Sequence, residues 1–495
     1  MLTRKAFLAL AAKAGAGLAL EPWSLAPAAA DGAGAWVNDI HSKLNPTQVQ
    51  SVIPVDSRAA LKASILNART GGNAVSVAGG RHAMGGQQFG AGTVHLDTRP
   101  MNRVLALDRQ RGLVTVEAGI QWPELIDALA KRQQDDPAPW TIIQKQTGAD
   151  RLCIGGALGA NVHGRGLRFR PLIDDVESFR LIDAGGELQE CSRASNRELF
   201  SLAIGGYGLF GVFSDVTLRL MPRTKLRRVV ELIDIDELMR AFDERIAAGF
   251  LYGDCQFSID PDSDGFLKRG VFSCYRPVDA SMTVPAVQKR LSADDWRKLY
   301  ILAHEDPKRV FDVYSSYYLG TSGQVYWSDT HQLSTYIDDY HAGVDRHLGA
   351  RFPGSEMITE VYVPRPRLGD FMAALAEDFR RHEVKVIYGT VRLIEKDGDS
   401  FLPWAREPFA CVVMNLHVPH SPQGISKAGD DFRRIIDRAI DRGGSYFLTY
   451  HRWASRAQVE RCHPRMEKFL QLKRKYDRAE LFQSDWYRHY RQMFG

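Results

Sequence analysis

Two glycine-rich segments, each carrying a histidine, constrain the fold of this chain more than any other feature. They read VAGGRHAMGG, residues 77–86, and IGGALGANVHGRG, residues 154–166. Glycine lets the backbone take unusual φ angles and come close to a ligand. Backbone N–H groups in such turns bind pyrophosphate oxygens without lysine, and neither segment contains a lysine. The two segments therefore predict a buried, backbone-lined cofactor site, with tight turns in a strand-rich domain as the alternative.

Composition narrows the class of protein. The chain has 495 residues, of which 44% are hydrophobic and 25% charged, as is usual for a soluble protein of roughly two to four domains. A net charge of +5 over 495 residues is too small to indicate the clustered basic face that nucleic-acid binding usually needs. None of the six cysteines forms a C-x-x-C pair, so we expect buried apolar thiols and no metal site.

The N-terminus has the layout of an export signal. A basic start, MLTRK, precedes a weakly apolar run and an A-x-A-like end at Ala28 to Ala30. TRKAFL also resembles a twin-arginine signal, with Lys5 at the place of the second arginine. We expect a signal peptide over residues 1–30 and a periplasmic or secreted protein, the alternative being a flexible tail on a cytoplasmic one. No other apolar run reaches membrane length, so no membrane span is expected.

The remaining pattern predicts an α+β protein in three parts. Residues 45–223 show many short strands and a few helices. One of these helices can be capped by Asp56-Ser57, and its apolar positions Leu61, Ile65 and Ala68 share a face. Residues 224–461 alternate longer helices and strands, as expected for a second α+β domain. Residues 462–495 are helical and rich in charged and aromatic side chains.

One tempting motif is excluded by its context. GYGLFG, residues 206–211, has the spacing G-x-G-x-x-G, but a dinucleotide-binding turn needs a strand before it and a helix after it. Here the predicted order is helix and then strand. We therefore reject a Rossmann site.

The same segments carry a resemblance to a known family. VAGGRHAMGG, IGGALGANVHGRG and GGYGLFGVFSDVTLRL, in this order, resemble the FAD-binding domain of the vanillyl-alcohol oxidase superfamily. KRKYDRAELF is similar to the family's closing K-x-x-x-D-P-x-x-x-F segment, with Arg478 replacing the proline. The resemblance implies a PCMH-type, two-subdomain FAD-binding domain, a second α+β substrate domain and a C-terminal segment that returns to the FAD domain. The sugar and polyol oxidase branch is the most similar.

The resemblance also implies a set of cofactor-binding residues. His82 takes the place where many members attach the flavin covalently, the alternative being a histidine that only hydrogen-bonds nearby. Val212 would contact the adenine through its backbone, and Cys153 lies too near Gly155 to supply a second covalent bond. The residues implied to bind FAD are Gly79, Gly80, Arg81, His82, Ala83, Met84, Gly85, Gly155, Gly156, Ala157, Asn161, Val162, His163, Gly164 and Val212.

Four residues are candidates for catalysis. Arg392 matches the arginine of the Glu-x-Arg pair found in sugar oxidases, although Thr390 stands in place of the glutamate. Glu360 is a polar residue inside the apolar stretch MITEVYVP. His451 is a candidate base, and Arg452 a candidate group at the flavin edge where negative charge develops. Ion-paired strand faces or a packed polar cluster are the alternatives.

The resemblance implies oxidation of a hydroxyl group on a sugar, polyol, lactone or related alcohol. A flavin-dependent C=C reductase and a non-catalytic flavin-holding subunit are the alternatives. Val162 lies at a place where the family's side chain helps decide whether oxygen reaches the flavin. Because valine is β-branched and stiff, we expect a dehydrogenase rather than an oxidase, with its electron acceptor left open.

Overall fold

The computed structural model describes residues 34–335 and 337–495 of the protein. The predicted signal peptide, residues 1–30, lies outside these residues. The architecture is a mixed α+β fold, which confirms the predicted fold class. The strands of the described residues are β1 Ala35–Val37, β2 Thr47–Val49, β3 Ser51–Pro54, β4 Val75–Ala78, β5 Val94–Asp97, β6 Val104–Asp108, β7 Leu113–Glu117, β8 Trp140–Ile142, β9 Val176–Ile182, β10 Leu188–Ser192, β11 Val212–Pro222, β12 Lys225–Asp234, β13 Tyr252–Phe257, β14 Arg269–Pro277, β15 Val325–Trp327, β16 Gly354–Pro364, β17 Val386–Ile394, β18 Phe409–Pro419 and β19 Ser445–Tyr446.

The helices occur between and after these strands. They are α1 Arg58–Thr70, α2 Trp122–Arg132, α3 Ile154–Ala160, α4 Arg197–Ala203, α5 Ile235–Ala247, α6 Ala293–Glu305, α7 Pro307–Leu319, α8 Tyr340–Leu348, α9 Leu368–Arg381, α10 Pro422–Ile440, α11 Arg456–Cys462, α12 Met466–Tyr476 and α13 Asp485–Phe494. In α1 the Ser57 hydroxyl accepts from Ala60 N, and Leu61 and Ile65 are buried. This confirms the predicted helix start and its apolar face.

Three sheets form the N-terminal part of the described residues, the smallest being the antiparallel pair β1-β2. A small parallel sheet has the order β3-β5-β4, and a six-stranded antiparallel sheet has the order β10-β9-β11-β7-β6 with β8 paired to β11. The C-terminal segment returns to the small sheet. Val75 N donates to Leu481 O at 2.7 Å, and Gln483 N donates to Val75 O at 2.8 Å.

The second part is built on one eight-stranded sheet with the order β15-β12-β14-β13-β17-β18-β16-β19. Strand β11 ends at Pro222 and β12 begins at Lys225, so the two parts meet where the sequence places a boundary. The domain limits themselves remain predictions. Within the described residues, no helix combines the length and apolar character needed to cross a membrane. All six cysteines are buried free thiols.

The glycine-rich composition of the second segment suggests a loop, but the structure shows that part of it is a helix. Residues 154–160 form α3, and the chain leaves it through Asn161 in the left-handed conformation with φ of 49°. Glycine disfavours helix, but Ala157 and Leu158 are completely buried. A Cβ on Gly155 would lie 2.9 Å from that of Ala118. Tertiary packing therefore sets the local structure.

Candidate functional site

A single cavity of about 1010 Å³ runs between the two glycine-rich segments and the eight-stranded sheet. One wall follows the end of β4 into the first segment, and another is formed by the start of α3. The opposite wall carries polar and aromatic side chains from β13, β17, α7 and the chain after β15. A cavity with glycine backbone on one side and polar side chains on the other suits a cofactor with a substrate beside it.

The cavity brings together ten of the residues predicted to bind the cofactor. Those that line it are Gly79, Gly80, Arg81, His82, Ala83, Met84, Gly155, Gly156, Val162 and Val212. The other five, which are not among its lining residues, are Gly85, Ala157, Asn161, His163 and Gly164. Asn161 is engaged elsewhere, because its side chain donates to Asp397 at 3.0 Å and accepts from Ile173 N at 3.0 Å.

The cavity walls fit an extended polar cofactor. A Cβ on Gly156 or Gly159 would meet no protein atom within 4 Å, so these glycines open onto space that the chain does not fill. Four side chains lining the cavity have a buried oxygen atom with no hydrogen-bond partner among the described residues. They are Gln88, Gln146, Thr147 and Thr449. Since buried polar groups are normally paired, these oxygens indicate a bound polar molecule, and FAD satisfies this requirement.

His82 is held in place by a second histidine. Its Nδ1 atom lies 2.8 Å from Nε2 of His41, so one of the two nitrogens donates and the other accepts. Burial, with the nearby His41, holds the pKa of His82 well below its usual range. His82 is therefore a neutral imidazole in the wall of the cavity.

Arg392 projects from β17 into the cavity wall. It is only 5% exposed, and neither Nε nor Nη1 has a hydrogen-bond partner among the described residues. A buried guanidinium with unused donors is costly unless a ligand pairs with it. Arg392 is therefore positioned to bind oxygen atoms of a molecule in the cavity.

Glu360 lies behind the cavity wall in a cluster of donors. Its Oε1 atom lies 2.8 Å from His163 Nε2 and also accepts from the Tyr362 hydroxyl, while Oε2 accepts from the Tyr450 hydroxyl at 3.3 Å. Burial opposes ionisation of Glu360, but His163, Tyr362 and Arg392 outweigh it and lower its pKa. Tyr450 lines the cavity whereas Glu360 does not, so the phenol connects the carboxylate to the cavity.

His451 and Arg452 are not among the lining residues. His451 stacks on Phe432 at 4.6 Å between ring centroids, and burial lowers its pKa to about 3. Arg452 lies behind the first glycine segment, where a Cβ on Gly86 would be 3.4 Å from its Cζ. The predicted roles of both residues at the flavin remain predictions.

Sequence analysis did not identify most of the polar wall, the side of the cavity formed by polar and aromatic side chains of the second part. Asp254 and Gln256 line the cavity from β13, which is buried throughout. Two polar residues at alternating positions of an otherwise buried strand lie on one face, and that spacing was the available signal. Tyr450 gave no comparable signal, since tyrosines are common in cores.

Comparisons with known proteins agree with the interpretation of the cavity as an FAD site. A model of the FAD-binding domain matches residues 49–192. An uncharacterized oxidoreductase of the fasciation locus of Rhodococcoides fascians is 32% identical over 39% of this chain and 43% of that protein. The L-gulono-1,4-lactone dehydrogenase of Mycobacterium tuberculosis is 23% identical over 88% of this chain and 95% of that protein. The L-gulonolactone oxidase of Bos taurus is 30% identical, over 30% of this chain and 32% of that protein.

Fold, cavity and comparisons together define an FAD-dependent oxidoreductase. The glycine-lined wall belongs to its FAD-binding domain, and the polar wall faces it from the second sheet. The domain match over residues 49–192 and the lactone dehydrogenase and oxidase relatives agree with the resemblance to the vanillyl-alcohol oxidase superfamily and its PCMH-type FAD-binding domain.

Proposed function

We propose that the protein oxidises a hydroxyl group of a sugar lactone, polyol or related alcohol. The observation that carries this proposal is the shared cavity, which Arg392 and Tyr450 line together with the glycine segments that fit FAD. The lactone dehydrogenase and oxidase among its relatives support the substrate class. Bound FAD supplies the acceptor for the hydride that leaves the substrate carbon.

The side chains of the polar wall bind the substrate and accept its proton. Arg392 binds and orients substrate oxygen atoms through its unpaired Nε and Nη1. Tyr450 receives the hydroxyl proton on its oxygen while its own proton passes to Glu360, to which it already donates. His163 stabilises the Glu360 carboxylate from the opposite side. The proton is thereby stored in a pair shielded from solvent.

We also propose that His82 holds FAD covalently. The contact with His41 fixes the imidazole ring, and burial keeps it neutral, which is the form that acts as a nucleophile. Acid precipitation of the purified protein tests this proposal, because covalently attached flavin stays in the pellet. Release of all the flavin into the supernatant contradicts the covalent bond and leaves FAD binding intact.

Export to the periplasm and a preference for an acceptor other than oxygen complete the proposal. The first is based on residues 1–30 of the sequence. It is tested by the mass of the mature protein from its own host, with a start near Asp31 expected and an intact Met1 or Leu2 as the contrary result. The second is based on Val162, which lines the cavity.

Anaerobic mixing with a panel of polyols, lactones and aromatic alcohols distinguishes the candidate functions. A dehydrogenase or oxidase loses its flavin absorbance with its alcohol alone. A C=C reductase requires an external electron donor, and a flavin-holding subunit is reduced by none of the alcohols. We expect bleaching by one or more polyols or lactones.

A further inference from the structure

Three histidines from separate elements meet at Glu356, a residue that the proposed function does not use. Glu356 and His417 are direct cross-strand partners on β16 and β18, while His304 lies near the end of α6 and His341 near the start of α8. The Glu356 and His304 side chains are 2% and 0% exposed. The fold thus places three imidazoles around one buried carboxylate.

Two of the imidazoles converge on the same carboxylate oxygen. Oε1 of Glu356 lies 3.0 Å from His304 Nε2 and 3.3 Å from His417 Nδ1, and the three atoms lie within 4.8 Å of one another. Ligand atoms around a tetrahedral zinc ion, with bonds of about 2.0–2.1 Å, are separated by roughly 3.3 Å. The two distances to Oε1 are therefore close to the spacing of ligands that share one cation, and the two nitrogens lie within 4.8 Å of each other.

The other carboxylate oxygen is held by separate donors. Oε2 of Glu356 accepts from the Tyr340 hydroxyl at 2.8 Å and lies 2.7 Å from His341 Nδ1. Groups of this kind commonly orient the ligands of a metal and tune its affinity. His341 and Tyr340 therefore fix the carboxylate with Oε1 directed towards the two other histidines.

Gly354, two residues before Glu356 on β16, leaves space for the ring of His417. A Cβ on Gly354 would lie 2.5 Å from Cε1 of His417, so a larger residue there would displace the imidazole. The rings of His304 and His417 are 4.7 Å apart and nearly perpendicular, at 87°. Each ring thus presents its nitrogen to Glu356 without stacking on the other.

We propose that His304, His417 and Glu356 bind one divalent transition-metal ion, with zinc as the best match to two nitrogens and one oxygen. Glu356 also lines the cavity, so the fourth position of the ion is available to water or to a ligand there. Sequence analysis predicted no metal because no cysteines form a C-x-x-C pair, and the three residues proposed here, 52 and 61 positions apart, form no short spacing motif.

Zinc binding to the FAD-loaded protein tests the proposal. The protein is freed of metal with a chelator and titrated with Zn²⁺ in competition with a chromophoric chelator. We expect one zinc per chain, a loss of affinity of more than about 100-fold in His417→Ala and Glu356→Gln, and a loss of about 10–100-fold in His341→Ala. His347→Ala is the matched control, because the exposed His347 pairs with Glu305 at 3.0 Å on the same two helices, and its affinity should be unchanged.

Two results would overturn the proposal of a zinc site. One is the absence of stoichiometric zinc, and the other is equal affinity in His417→Ala and His347→Ala. Flavin absorbance and circular dichroism show whether each variant is folded. If a variant fails to fold, zinc X-ray absorption of the unmutated protein decides, since the site requires imidazole scattering and a spectrum without it contradicts the proposal.

Discussion

The Nε2 atom of His163 lies 2.8 Å from Oε1 of Glu360, and the two side chains are 1% and 0% exposed. His163 Nδ1 lies 2.9 Å from the carbonyl oxygen of Gly164, which can only accept, so Nδ1 carries a hydrogen. The contact between Nε2 and Oε1 then requires one further proton, shared by the imidazole and the carboxylate. At rest the pair thus already holds one proton between Nε2 and Oε1, and the atom left to accept a proton from Tyr450 is Oε2 of Glu360.

Replacing Arg392 tests substrate binding. In Arg392→Met the unpaired donors are lost, and hydrogen bonds to charged groups are worth about 1.5–3 kcal/mol. We expect kcat/KM to fall about 10–100-fold, with Arg392→Lys falling less because it keeps the charge. Steady-state kinetics with the best substrate from the panel measure this, and an unchanged kcat/KM in the methionine variant would refute the role.

Replacing Val162 tests the oxygen barrier. Val162 is 5% exposed and lines the cavity, and its β-branched side chain cannot easily turn aside. We expect slow reoxidation of the reduced protein by air, faster reoxidation in Val162→Gly, and little change in the similarly shaped Val162→Thr. Stopped-flow mixing with oxygen measures the rates. Rapid reoxidation of the native protein, at the same rate as in the glycine variant, would show that Val162 does not restrict the access of oxygen to the flavin.

Buried neutral histidines should make the protein sensitive to acid. Burial lowers the pKa of His41 to about 4 and that of His451 to about 3, from 6.5 in the unfolded chain. The unfolded state therefore binds more protons below pH 6.5, and the stability present above that pH is lost as the pH falls towards 3–4. For His451 alone the loss between pH 7 and pH 5 is about 2 kcal/mol.

Urea denaturation at pH 7 and pH 5 measures this dependence. We expect the fall in the free energy of unfolding to be smaller in His451→Phe, in which the aromatic stack on Phe432 is kept. The exposed His347→Phe serves as the control and should fall as the native protein does. An equal fall in His451→Phe and native protein would argue against a buried neutral His451.

The sequence predicted the cofactor wall better than the polar wall, for a physical reason. The first glycine segment is local, since its backbone conformation depends on residues next to each other in the chain. The contact of His163 with Glu360 spans 197 positions and exists only because β16 is paired within the large sheet. Glu360 could be singled out as a polar residue in an apolar strand, but neither its partner nor its link to Tyr450 could be predicted. The helix at 154–160 was missed because packing against Ala118 overrides the low helix propensity of glycine.

The rate constant for anaerobic reduction of the bound flavin by substrate, compared between the native protein and Glu360→Gln, tests the central claim most directly. General base catalysis contributes about 10²–10⁴-fold, so we expect a loss in that range with FAD content unchanged, and a loss at least as large in Tyr450→Phe, because that phenol connects the carboxylate to the cavity. Glu395→Gln is the control, because Glu395 forms only a partly exposed ion pair with Arg365 at 2.8 Å. Reduction of Glu360→Gln at the native rate and with the native pH profile would contradict the account.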